Sequence, residues 1–132
     1  MSLRTAVPLT ALALLTACAG FMDSRQLPML PMTSRAALGE ERIFADNQLF
    51  TLRRYAETRE GMGAVTAYYV VGRDADHGPR RLANGVEVYT GTVNSRLFFT
   101  NFPGEWYCGQ SRAACMSELE PEQIPLQPSG LP

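Results

Sequence analysis

His77 is the single histidine of the 132-residue chain, and it stands in Asp74-Ala75-Asp76-His77-Gly78-Pro79-Arg80-Arg81. Two carboxylates and an imidazole could hold a divalent cation. A metal site needs further ligands at fixed geometry, and a run ending in Gly78-Pro79 offers little rigidity. A solvated loop whose acids pair with its arginines is expected, with no metal. A hydrolase would need a nucleophile beside an oriented base, and no Gly-x-Ser-x-Gly element accompanies His77. Glu105 lies beside Trp106, where an apolar setting would raise its pKa, but no second carboxylate stands at a defined place to complete glycosidase chemistry. Gly61-Met62-Gly63 lacks the strand-then-helix context of a phosphate loop. Cys108 and Cys115 are too far apart for a Cys-x-x-Cys redox centre, and without nearby histidines they make a poor zinc site. The sequence therefore predicts a non-enzyme with no catalytic residues and no cofactor.

Charge excludes a second class. All 12 basic side chains are arginines, set against 13 acids for a net charge of −1. The pairs Arg53-Arg54 and Arg80-Arg81 are too sparse for the clustered basic face that nucleic acid requires.

At the N-terminus, Met1 to Arg4 supplies a basic start and Ala6 to Leu15 an apolar run broken by Thr10. A spanning helix needs about 20 apolar residues; this run reaches barely half of that, and Pro8 weakens it further. It ends in Leu15-Thr16-Ala17-Cys18. That tetrapeptide resembles the lipobox of bacterial lipoproteins. The resemblance implies a signal peptide over residues 1–17, a diacylglyceryl group on the Cys18 thiol and acylation of the freed amine, with palmitate-type chains. Each buried methylene contributes about 0.8 kcal/mol, and two chains suffice for stable anchoring. With Ala19 next, the resemblance implies the periplasmic leaflet of the outer membrane; the periplasmic face of the inner membrane is the alternative. Under the same resemblance Cys18 is taken by lipid. That leaves Cys108 and Cys115 as a pair in an oxidising compartment, where their short loop would stabilise the fold by about 2.5 kcal/mol.

The elements that must carry these residues follow from pattern. Residues 18–33 read as the lipidated cysteine and a tether with Pro28 and Pro31, in which apolar Leu27, Met29, Leu30 and Met32 are candidate partner-binding residues. Thr33 or Ser34 could cap a short helix containing Ala36, Ala37 and Leu38. Strands are expected over 48–57, 64–72, 86–93 and 96–102. Asn94-Ser95 should form a hairpin turn, and 74–84 a polar loop. Trp106, Tyr107 and the disulfide loop would close the end. The fold expected is mainly β with minor α: a four-stranded antiparallel meander over 34–118, with a proline-rich tail over 119–132. Strands 64–72 and 96–102 are apolar on both faces, so a cover or a partner is needed, and Phe98 and Trp106 join the candidate partner-binding residues.

The function expected is a lipid-anchored, non-catalytic accessory protein of an outer-membrane-associated assembly of secretion, conjugation or pilus type. The alternative is a periplasmic binder, or an inhibitor of an attacking enzyme such as a lysozyme, with Asp74, Asp76 and His77 entering a basic cleft.

Overall fold

Paired β-turn chemistry shapes the chain. The computed structural model describes residues 24–120. A short 3-10 helix (Ser24–Met29) is followed by β1 (Met32–Ala45), β2 (Gln48–Arg59), β3 (Gly63–Val71), β4 (His77–Arg81), β5 (Glu87–Val93), β6 (Arg96–Phe102), β7 (Glu105–Gly109) and one α-helix, α1 (Arg112–Leu119). The seven strands form one antiparallel sheet in the order β1-β2-β3-β7-β6-β5-β4. Two meanders are thus joined. The first runs inward from one edge as β1-β2-β3. The chain then crosses to the far edge and returns as β4-β5-β6-β7, so that β7 pairs with β3 at the centre.

Four sequence expectations are corrected. The sheet has seven strands, where four were expected. The expected helix near Ala36–Leu38 is part of β1, and its intended cap Ser34 donates instead to the Thr58 hydroxyl of β2 at 2.9 Å. A helix so short is marginal in water, whereas β1 pairs with β2 along its whole length. Asp46 and Asn47 both have positive φ, 51° and 59°, the backbone that a two-residue hairpin turn demands. The polar loop contains β4, with Pro79 on an edge strand, where the missing N–H costs no ladder bond. Trp106 and Tyr107 do not close the end of the sheet; they lie inside it on β7. The Asn94-Ser95 turn is as expected, with φ of 52° and 67°.

Each sheet face has its own cover. On one face Ile43, Leu52, Val70, Phe98 and Trp106 form a core under α1, which contributes Cys115 and Leu119. Ser111 caps α1 by accepting from the Ala114 N–H at 3.1 Å. The Cys108–Cys115 disulfide ties α1 to β7, with Cα atoms 4.8 Å apart. The Trp106 indole packs against Gly91, where a Cβ would stand 2.5 Å from the ring, and its N–H donates to the Arg73 carbonyl at 3.0 Å. On the opposite face Leu27 of the 3-10 helix covers Ala67, Tyr69 and Tyr107. Tyr69 packs edge-on against Tyr55 and Tyr107, with centroids 5.4 and 5.7 Å apart.

Candidate functional site

The face covered by the 3-10 helix carries nearly all of the unusual chemistry. Period-two alternation along β2 puts Arg53, Tyr55, Glu57 and Arg59 on this face, opposite Arg35 of β1 and beside Tyr69 of β3. Glu105, at the start of β7, completes the cluster. Its carboxylate accepts from Arg35 Nη2 at 2.5 Å, Arg53 Nη1 at 2.5 Å and the Tyr55 hydroxyl at 2.6 Å. Glu57 is buried and accepts from Tyr69 at 2.6 Å, Arg59 at 3.0 Å and Arg35 at 3.3 Å. Arg59 also donates to the Leu30 carbonyl at 2.7 Å, which fastens the segment after the 3-10 helix. The Arg35 guanidinium lies between two rings, 3.5 Å from the Tyr55 centroid and 3.8 Å from that of Phe102, a cation–π sandwich.

Burial alone would raise the Glu105 pKa. Hydrogen bonds from Arg35, Tyr55 and Arg53, together with the charge of Arg35, outweigh that effect and hold it below the ordinary carboxylate range. This reverses the sequence expectation for Glu105. Burial, and then the charge and hydrogen bond of Glu57, push the Tyr69 phenol well above its ordinary value; burial and the bond to Glu105 raise Tyr55. The Glu105 carboxylate stays charged and the Tyr55 and Tyr69 phenols stay neutral, and the hydrogen bonds of the cluster brace β1, β2, β3 and β7.

Two concavities flank the 3-10 helix on the same face. One, of about 300 Å³, lies between Met29, the β4–β5 pair and Phe99. The other is a wide groove of about 490 Å³ that Leu30, Met32, Asn101 and Phe102 help to line. Three of the apolar candidates, Met29, Leu30 and Met32, therefore border concave surface. Leu27 is 2% exposed, and Phe98 and Trp106 are fully buried; these three are core residues with no surface to offer a partner in this fold. The described part of the expected 18–33 tether is no free spacer: the 3-10 helix packs on the sheet through Leu27, with Leu30 beside it. Cys18 lies outside the described residues.

His77 opens β4 opposite Thr90. Asp76 pairs with Arg73 at 2.8 Å. No group of three potential metal ligands occurs among the described residues, and no described helix is long and apolar enough to cross a membrane. Sequence reading missed the exposed pair at the β1–β2 hairpin, Phe44 and Leu49, which face each other across the strands at 63% and 56% exposure. Alternation about Asp46-Asn47 was the available signal. No protein-family model, curated protein or solved structure matches this chain.

Proposed function

We propose that the chain is a lipid-anchored, non-catalytic accessory subunit of a bacterial envelope assembly, held through Cys18 at the periplasmic leaflet of the outer membrane. The free edge of β1 carries this reading. It runs from Met32 to Ala45, and no described strand pairs with its outer side. An unpaired edge is a template for an added strand. Beside it, Phe44 and Leu49 give an incoming segment an apolar contact. The charged residues Glu40, Glu41 and Arg42, and bulges at Met32/Ser34 and Ala37/Gly39, limit indiscriminate pairing along that edge. The inhibitor reading has less support, because Asp76 is paired with Arg73 and His77 is bound into a strand.

Cross-linking in cells followed by affinity purification should recover one stoichiometric partner, and that partner should be lost from the double variant Phe44→Asp, Leu49→Asp. Recovery of monomer alone overturns the subunit role. Mass spectrometry of the purified product tests the anchor separately: retention of the first seventeen residues with an unmodified Cys18 thiol overturns it.

A further inference from the structure

We infer that the cleft between the 3-10 helix and the β4–β5 pair binds a small alkyl carboxylate, its tail among Met29, Leu82, Val88 and Phe99 and its head on Arg80. A bulge builds this arrangement. His77 pairs with Thr90 and Arg80 with Val88, so three steps along β4 match two along β5. Without the extra residue His77 and Arg80 would point to opposite faces. With it, both share the face of Thr90 and Val88, and all four line the cleft. Gly78 makes the bulge possible: its φ is +134°, and a Cβ there would stand 2.8 Å from the Tyr89 ring and 3.0 Å from the Tyr89 Cα.

Charge decides the sign of the ligand. Around β4, Arg73 is paired with Asp76 at 2.8 Å and Arg81 with Glu87 at 2.9 Å. Arg80 has no hydrogen bond or ion pair from its side chain among the described residues. Among the described residues no carboxylate lines the cleft. A planar guanidinium over an apolar floor suits a carboxylate, which it can hold through two parallel hydrogen bonds. The Thr90 hydroxyl and the His77 ring stand on the same wall as further polar groups. Ligand sites of this kind are mostly apolar with a few placed polar groups. At about 300 Å³ the cleft lies at the lower end of the size range of small-ligand sites, which suits a short-tailed carboxylate such as octanoate.

Calorimetric titration of the full chain with sodium octanoate, octylamine and sodium acetate tests both halves of the assignment. Octanoate should bind; octylamine, with the same tail and opposite charge, should bind at least tenfold more weakly, and acetate should give no saturable heat. Arg80→Ala should weaken octanoate at least tenfold, while Arg81→Ala, which removes a guanidinium already paired with Glu87, should leave it unchanged. Amide shifts on octanoate addition should centre on His77, Val88 and Thr90. Absence of octanoate binding, equal binding of octylamine, an Arg80→Ala variant that binds as the parent does, or shifts centred on α1 each overturns the inference. None of these measurements depends on the Cys18 anchor or on a partner at β1.

Discussion

Arg35 and Arg80 lie on the same face of one sheet, on opposite edge strands, and their surroundings could hardly differ more. Arg35 is enclosed by two aromatic rings and two carboxylates. Arg80 stands on β4, exposed, with no carboxylate partner among the described residues. A charge largely removed from water is tolerated only when paired and hydrogen-bonded, and the first arrangement, with Arg35 half-buried against the fully buried Glu57, is completed in this way from within the chain. The second remains open because its charge is still hydrated. The cluster around Arg35 therefore reads as structure, and the cleft beside Arg80 as a place for something else.

Breaking the closed region should have the largest effect. Glu57→Ala removes the acceptor shared by Arg35, Arg59 and Tyr69 and leaves the buried Arg59 guanidinium without its carboxylate. Loss of one partner from a buried pair costs about 3–5 kcal/mol, and urea unfolding should register that loss. A loss under about 1 kcal/mol, the scale of an exposed pair, would show the cluster to be open to water. On the other face, replacing both Cys108 and Cys115 by alanine should cost about 2.5 kcal/mol on the chain-entropy estimate, because the disulfide closes a short loop between β7 and α1. The same unfolding measurement checks it, and an unchanged midpoint would mean that packing alone holds α1.

The two regions also differ in how far the sequence reveals them. The strands rich in apolar and β-branched residues, β2, β3, β5 and β6, were legible from pattern, as was the Asn94-Ser95 turn. β1 was not, because Ala36-Ala37-Leu38 has local helix preference and only pairing with β2 overrides it. The signal that could have corrected this is Asp46-Asn47 between two alternating runs. β7 is short, and nothing local says that Trp106-Tyr107-Cys108 inserts between β3 and β6. The Arg35 cluster was illegible for a stronger reason: Arg35 meets Glu57 across 22 residues and Glu105 across 70. Such meetings follow from strand order, which sequence pattern does not supply. Glu105 and Trp106 are neighbours in sequence, yet alternation sends them to opposite faces, so Glu105 sits among arginines and its pKa falls where an apolar setting would raise it. Met29, Leu30 and Met32 stand out in sequence as apolar residues in a proline-punctuated stretch, but only the structure separates them from the buried Leu27.

A pH series sharpens the account of the closed region. The Glu105 pKa is lowered in the folded chain relative to an ordinary, unfolded-state carboxylate. Its contribution to stability is therefore complete above the unfolded-state value and is lost as pH falls through the lower, folded-state value. Glu105→Gln should flatten the acid limb of the stability curve, followed as the urea midpoint from neutral pH downward. An acid limb unchanged by the substitution would mean that Arg35, Arg53 and Tyr55 do not stabilise its charge.

The smallest expected effect is the most informative about the open region. Arg35→Ala strips Glu105 and Glu57 of a shared donor and should cost about 1–3 kcal/mol. Arg80→Ala removes the same functional group from the same sheet face, but from a side chain that bonds nothing within the described fold. Surface substitutions away from such features stay within about 0.5 kcal/mol, so the urea midpoint of Arg80→Ala should barely move. Its consequence should appear in octanoate titration alone. A stability loss comparable with that of Arg35→Ala would show that Arg80 has an internal role, and the contrast between the two arginines would fail. Intact stability with lost binding would mean that the chain leaves this charge unpaired for a ligand that is not part of itself.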